Sequence, residues 1–233
     1  MDIQNGIPAE ELNAGRLPLM TKQIKIDFVS DVSCPWCVIG LKSLEEALRR
    51  LGGEITADMH FQPFELNPQM GPAGEDVSEH LRQKYGSGPE QLERSREALR
   101  ARGEELGFTF EMGRRTRIYN TFDAHRLLHW AELEGRQQAL QHALFAAYFT
   151  AGKNVSDREI LADIAAEVGL DRARAAQMLA SGEYSEEVHE RERFYLDQGI
   201  HAVPAVIFNG RHLIQGGQPV EVFARAIEQI AAG

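Results

Sequence analysis

The chain has 233 residues, 43% of them apolar, and a formal charge of -10 at pH 7. That length supports one generous core without disulfides, and acidity spread along the sequence excludes a general nucleic-acid binder, which needs a basic face. No basic-then-apolar N-terminus predicts a secretory signal and no segment predicts a membrane span, so the expected compartment is the cytoplasm.

Residues 1–22 are polar and punctuated by Gly6, Pro8, Gly15 and Pro18, which predicts a flexible leader, with Met20 standing where a more compact chain could begin. Ile24, Ile26 and Phe28 alternate with polar neighbours, as in a strand. The stretch SDVSCPWCVIG, Ser30 to Gly40, comes next and holds the chain's two cysteines. Beyond it, Leu41, Leu44, Leu48 and Leu51 recur at spacings of three and four, predicting an amphipathic helix that stops near Gly52 and Gly53.

Cys34 therefore falls at a strand-to-helix turn, with Pro35 in the first helical turn, where its missing N–H costs nothing. Free amides and the positive end of the helix dipole face the Cys34 sulfur, the setting in which a thiol ionises readily. A zinc site needs two more ligands; His125 and His129, at i,i+4 spacing, could supply them only through tertiary folding, and no metal is expected. A disulfide closing so short a loop would staple little. The remaining reading is a catalytic pair, with Cys34 exposed as the nucleophile and Cys37 one turn further in as the resolving thiol. Trp36 either covers the pair and offers an apolar contact to substrates or packs on the neighbouring loop.

Ile55 to Phe61 alternates as a second strand, and most of the chain from there to Gln198 has helical character. Helices are predicted over 76–86, 89–106, 120–134, 136–151, 157–168, 172–180 and about 185–198. Ser156, with Glu159 three residues on, fits a capping box; Asp171 is a plausible N-cap and Gly107 a C-cap. Phe145, Tyr148 and Phe149 read as helical core, and His125 and His129 as satisfied or partly exposed histidines. Asn67 and Pro68 after the second strand, and Asn120, either position a ligand near Cys34 or serve as ordinary loop and cap residues.

From Gly199 the pattern changes again. Val203-Pro204-Ala-Val-Ile-Phe208 runs into Asn209-Gly210, a strong hairpin signal, and returns through Arg211 to Gln215. After Gly216-Gly217-Gln218-Pro219, the residues Val222, Phe223, Ala226, Ile227 and Ile230 mark a closing helix.

CPWC after an apolar strand, VPAVIF with its hairpin, and GGQPVEVFARAIEQI resemble the DsbA family of thiol-disulfide oxidoreductases. The likeness is to the FrnE-like branch, related to kappa-class glutathione transferases and 2-hydroxychromene-2-carboxylate isomerases. FQPFELNP (61–68), TFDAHRLLHWA (121–131) and ALFAAYFTAGKNVSDREIL (143–161) carry it through the middle of the chain. It implies an α/β, thioredoxin-like fold with a large all-helical insertion between the second strand and the cis-proline strand. The expected organisation is a leader over 1–22, a thioredoxin-like domain from 23–66 and 183–233, and a helical insertion domain over 67–182. It also implies that Pro204 is the cis-proline facing the cysteines and that the backbone of Val203 pairs with a substrate peptide.

The function this reading predicts is a protein dithiol-disulfide oxidoreductase with Cys34 as nucleophile and Cys37 as resolving thiol, and with Pro35, Trp36, Val203, Pro204 and Asn67 contacting substrate. Its partners would be disulfide-containing proteins or low-molecular-weight thiols, not nucleic acid or membranes. No bound cofactor is required, with glutathione as a redox partner or co-substrate. The alternative enzyme is a glutathione-dependent isomerase or transferase acting on a small aromatic or polyketide-like molecule, in which Cys37 is dispensable; a non-enzymatic alternative is a chaperone-like binder. Oligomeric state is not set by the sequence.

Overall fold

The computed structural model describes residues 22–71, 73–86 and 88–233. The predicted leader lies outside these residues, apart from Lys22.

Four strands form one sheet in the order β2-β1-β5-β6. β1 (Lys22–Ser30) is one of its two interior strands, pairing with β2 (Ile55–Pro63) in parallel and with β5 (Ala205–Phe208) antiparallel. Parallel neighbours cannot be joined by a tight turn, and α1 (Pro35–Leu51) makes the crossover. β5 and β6 (His212–Gln215) form the predicted hairpin. Its turn residues Asn209 and Gly210 have φ of 51° and 65°, the pair of positive values that a two-residue turn of matching twist demands.

β1 alternates only at its start; from Asp27 to Ser30 every residue is buried, because helices cover both faces of the sheet. α1 packs against the closing helix α9 (Val220–Ala232), whose Phe223 and Ile227 are fully buried. The free edge of β2 is met by the side-chain amide of Gln137, which accepts from Phe61 N and donates to Phe61 O, both at 2.9 Å. Two buried edge groups are thereby satisfied without another strand.

Between β2 and β5 come α2 (Val77–Tyr85), α3 (Pro89–Glu105), α4 (Phe122–Leu133), α5 (Gln137–Phe145), α6 (Arg158–Glu167), α7 (Arg172–Ala180) and α8 (Ser185–Asp197). This is the helical insertion the sequence predicts, with one addition: a two-residue antiparallel ladder of β3 (Glu75–Asp76) with β4 (Arg117–Ile118). Segments that short carry no period-2 signal.

Two local expectations are refined and two hold. α6 is capped by Asp157, which accepts from Glu159 N and Ile160 N, and not by Ser156, whose N–H and hydroxyl both turn to Asn154 Oδ1. The helix predicted to run through residue 151 widens from Ala146 to Thr150 into a π turn, closed by Ala151 N donating to Ala146 O. Asp171 does cap α7, accepting from Arg174 N, and Gly107 follows α3 with φ 72°.

Candidate active site

The loop from β1 to α1 is shaped by Asp31, which is fully buried. Its Oδ1 accepts from Ser33 N at 2.9 Å, its Oδ2 from Leu66 N at 2.6 Å, and its carbonyl from Cys34 N at 3.0 Å. One residue thus ties the nucleophile loop to the segment after β2. His125 braces the same place: its Nε2 donates to Phe64 O at 3.1 Å and lies 3.9 Å from Asp31 Oδ1. Burial pushes the His125 imidazolium pKa down, so the ring is neutral.

Cys34 is the N-cap residue of α1 and Pro35 its first helical residue, as predicted. Both cysteines are free. The expected exposure of Cys34 is corrected: only 4% of its surface is open, because the Val203 loop and the insertion wall it in. Its Sγ lies 3.7 Å from the carbonyl oxygen of Val203. Cys37 has no exposed surface, and burial, with Cys34 beside it, pushes its thiol well above the ordinary range. A negative charge on the pair therefore avoids Cys37. The peptide bond between Val203 and Pro204 is cis.

Cys34 opens onto a cavity of about 640 Å³. Pro35, Trp36, Val203 and Asn67 line it too, so the structure brings all but Pro204 of the predicted contact residues to the same cavity as Cys34. Trp36 is 44% exposed at the mouth. Asn67 is occupied by the protein itself, since its Oδ1 accepts from Lys84 Nζ at 2.7 Å. Asn120 is a loop and cap residue: it accepts from Phe122 N and donates to Glu65 Oε2. His129 is buried with Nδ1 unpartnered. Among the described residues no cluster of three or more His, Cys, Asp or Glu side chains could hold a metal.

The sequence reading missed several polar residues here. Arg115 and Lys84 line the cavity with Cys34, and so does Glu65, whose carboxyl is pushed up to about 8 by burial and by the nearby Glu192 and Asp31 charges. Glu192 itself rises to about 7, from burial first and the Asp31 charge second. Asp31 carries a usable signal, as a short acceptor three residues before a helix-start cysteine. The others come from elements distant in sequence and carry none.

Residues 25–228 match the family described as DSBA-like thioredoxin domain. An uncharacterized Bacillus subtilis protein, YwbO, is 28% identical over 209 residues, 89% of this chain and 96% of its own. Among solved structures, a probable DsbA oxidoreductase from Streptomyces coelicolor is 32% identical with a TM-score of 0.82, over 90% of each chain. A cytosolic disulfide reductase from Pseudomonas aeruginosa, DsbM, solved with GSH, is 20% identical with a TM-score of 0.61, over 88% of this chain and 98% of its own. At that identity the likeness is one of fold.

Proposed function

Because the chain belongs to the family of DSBA-like thioredoxin domains, we propose that it is a dithiol-disulfide oxidoreductase whose redox couple is Cys34 and Cys37. The observation that carries this reading is the placement of the two thiols: Cys34 on a cavity wall at the start of α1, Cys37 fully buried one turn behind it. The Cys34 thiolate attacks one sulfur of a disulfide, forms a mixed disulfide and expels the other half as a thiolate. Cys37 then gives up its proton, displaces the bound half as a second thiolate, and closes the Cys34–Cys37 disulfide. Two electrons pass from the protein to the substrate, and two equivalents of a small thiol return them.

The high-lying Cys37 thiol supports this order of events. It stays protonated while Cys34 attacks, and it is activated only when the mixed disulfide has formed beside it. No helix of the described residues is long and apolar enough to cross a membrane. With a cytosolic fold relative, a cytoplasmic reductase is the simplest role in a reducing compartment.

The test is single-turnover oxidation of the pre-reduced protein by a small disulfide. Wild type should lose both thiols and Cys37→Ser should stop at a mixed disulfide on Cys34, visible as a mass adduct. Cys34→Ser should not react. A glutathione-dependent isomerase activity that survives Cys37→Ser would replace this reading with the alternative.

A further inference from the structure

The protein as a whole is acidic, with 35 Asp and Glu against 25 Lys and Arg. The wall of the Cys34 cavity reverses that balance. Lys84, Arg96 and Arg115 line it against one carboxyl, Glu65, whose pKa burial pushes up to about 8. Arg96 has an acidic neighbour, Glu93 at 3.6 Å, but among the described residues neither Lys84 nor Arg115 has a carboxylate partner. Lys84 donates instead to Leu66 O at 2.8 Å and to Asn67 Oδ1. Arg115 is buried and Lys84 exposed, so the cavity wall carries a net positive charge, with one of its cations shielded from water, and attracts an anion.

Arg115 is the more telling of the two. It is 9% exposed, and its guanidinium lies over the rings of Tyr148 and Phe149, with centroids 5.0 and 5.1 Å away. Those rings stand on the π turn, a device often found where a helix must aim side chains at a site. Arg115 Nη2 donates to Ser33 O at 3.3 Å, the carbonyl that precedes Cys34, while Nε has no partner. A rigid guanidinium with five donors, one committed to the nucleophile loop, is built for a planar acceptor. Much of the remaining wall is apolar, with Leu81, Leu92, Leu99 and Met112 beside the polar His80, Ser95 and His201, and the volume suits a small molecule.

We infer that the cavity takes a low-molecular-weight disulfide or thiol with an apolar body and a carboxylate, which Arg115 binds while Lys84 supplies attractive charge. This rests on the oxidoreductase reading and names its substrate class. With a disulfide the chemistry is the exchange already described: the substrate's S–S bond breaks, two thiolates leave, and the electrons come from Cys34 and Cys37; with a thiol it runs in reverse, two thiols closing to a disulfide as the Cys34–Cys37 bond is reduced. A protein substrate gripped only through backbone beside Val203 would not need the cationic wall.

The experiment compares two aliphatic disulfides of similar size, 3,3′-dithiodipropionate and the neutral bis(2-hydroxyethyl) disulfide, as oxidants of the pre-reduced protein. Free dithiothreitol is the reference, since like-charge repulsion slows a thiolate's attack on the dianion in solution. The protein's rate ratio, anionic over neutral, should exceed that of dithiothreitol by about tenfold or more, the effect of one charge-assisted hydrogen bond. Arg115→Gln should pull the ratio back about tenfold, Arg115→Lys should keep much of it, and Lys84→Gln, which leaves Arg115 in place, should lower it about threefold. Raising the salt should also lower it. A ratio equal to that of dithiothreitol, or an Arg115→Gln variant slowed equally toward both oxidants, overturns the inference while leaving the oxidoreductase reading standing. Failure of wild type to react with either disulfide overturns both.

Discussion

Gly40, in the middle of α1, lies directly against Pro204: a Cβ built on Gly40 would stand 2.9 Å from the proline Cγ. The proline ring cannot swing aside as a flexible chain end would, and the adjoining Val203 carbonyl is the group that faces Cys34 Sγ. A glycine in a helix interior ordinarily costs about 1 kcal/mol relative to alanine. Here that gain would be outweighed by overpacking. Gly40→Ala is expected to destabilise the protein by about 1–3 kcal/mol and to slow disulfide exchange, read from denaturant midpoints and single-turnover rates. An alanine variant that is more stable and equally fast would show that the Pro204 loop does not depend on close approach to α1.

Glu65 and Glu192 give the pH dependence a definite sign. Their carboxyls sit at about 8 and about 7 in the folded protein, against an ordinary value near 4.5. A raised carboxyl binds its proton more tightly folded than unfolded, so its contribution is fully present below about pH 4.5 and is lost as pH rises through 7 and 8. Burial raises Glu65 most, the Glu192 and Asp31 carboxyls raise it further and the Asn120 amide opposes them, while Lys84, Arg96 and Arg115 line the same cavity. Glu65→Gln keeps an oxygen for Asn120 and removes the titration. Its melting temperature should fall less than that of wild type between pH 5 and 8.5, and should exceed it at pH 8.5. Parallel melting curves across that range would contradict the buried, protonated Glu65.

The N-terminus of α6 shows where local pattern stops short. A capping box read at Ser156 places the helix start one residue early; either residue has the right chemistry, and the choice is made by Asn154, whose side chain claims both Ser156 groups. Asp157→Ala should therefore cost about 1 kcal/mol, while Ser156→Ala costs less. Equal losses in urea denaturation would return the cap to a shared box.

The same limit separates what was legible at the site from what was not. β1, α1 and the β5–β6 hairpin announce themselves through period and turn chemistry, because each signal is contained in about ten neighbouring residues. CPWC and VPAVIF could be brought together across 169 residues only through family resemblance, which also suggested the cis bond. Arg115 was invisible to both. Its neighbours Ser33, Tyr148 and Phe149 are far from it in sequence, and the π turn that presents the two rings departs from the 3.6-residue period by which a helix is read.

Arg126 tests the insertion independently of the cysteines. It is 2% exposed on α4, and its guanidinium donates to the carbonyls of Met178 at 2.8 Å, Ser181 at 2.7 Å and Glu183 at 2.8 Å, and to Asp123 Oδ1 at 2.6 Å. These carbonyls lie at and just beyond the end of α7, where a helix leaves acceptors without internal donors. One planar side chain satisfies them together. Arg126→Met would fit the space but strand the carbonyls, and a loss of about 3–5 kcal/mol is expected. Arg126→Lys should recover little, since an ammonium cannot fork to the same set. Asp123 keeps a partner in Arg158, at 2.8 Å, so the loss would report mainly on the α7 end. On the same helix His125 braces the nucleophile loop through Phe64, by a separate contact. Exchange at Cys34 in the folded fraction should therefore stay within about twofold of wild type while the unfolding midpoint falls. Loss of exchange in step with stability would instead mean that α4 couples the insertion to the cysteines.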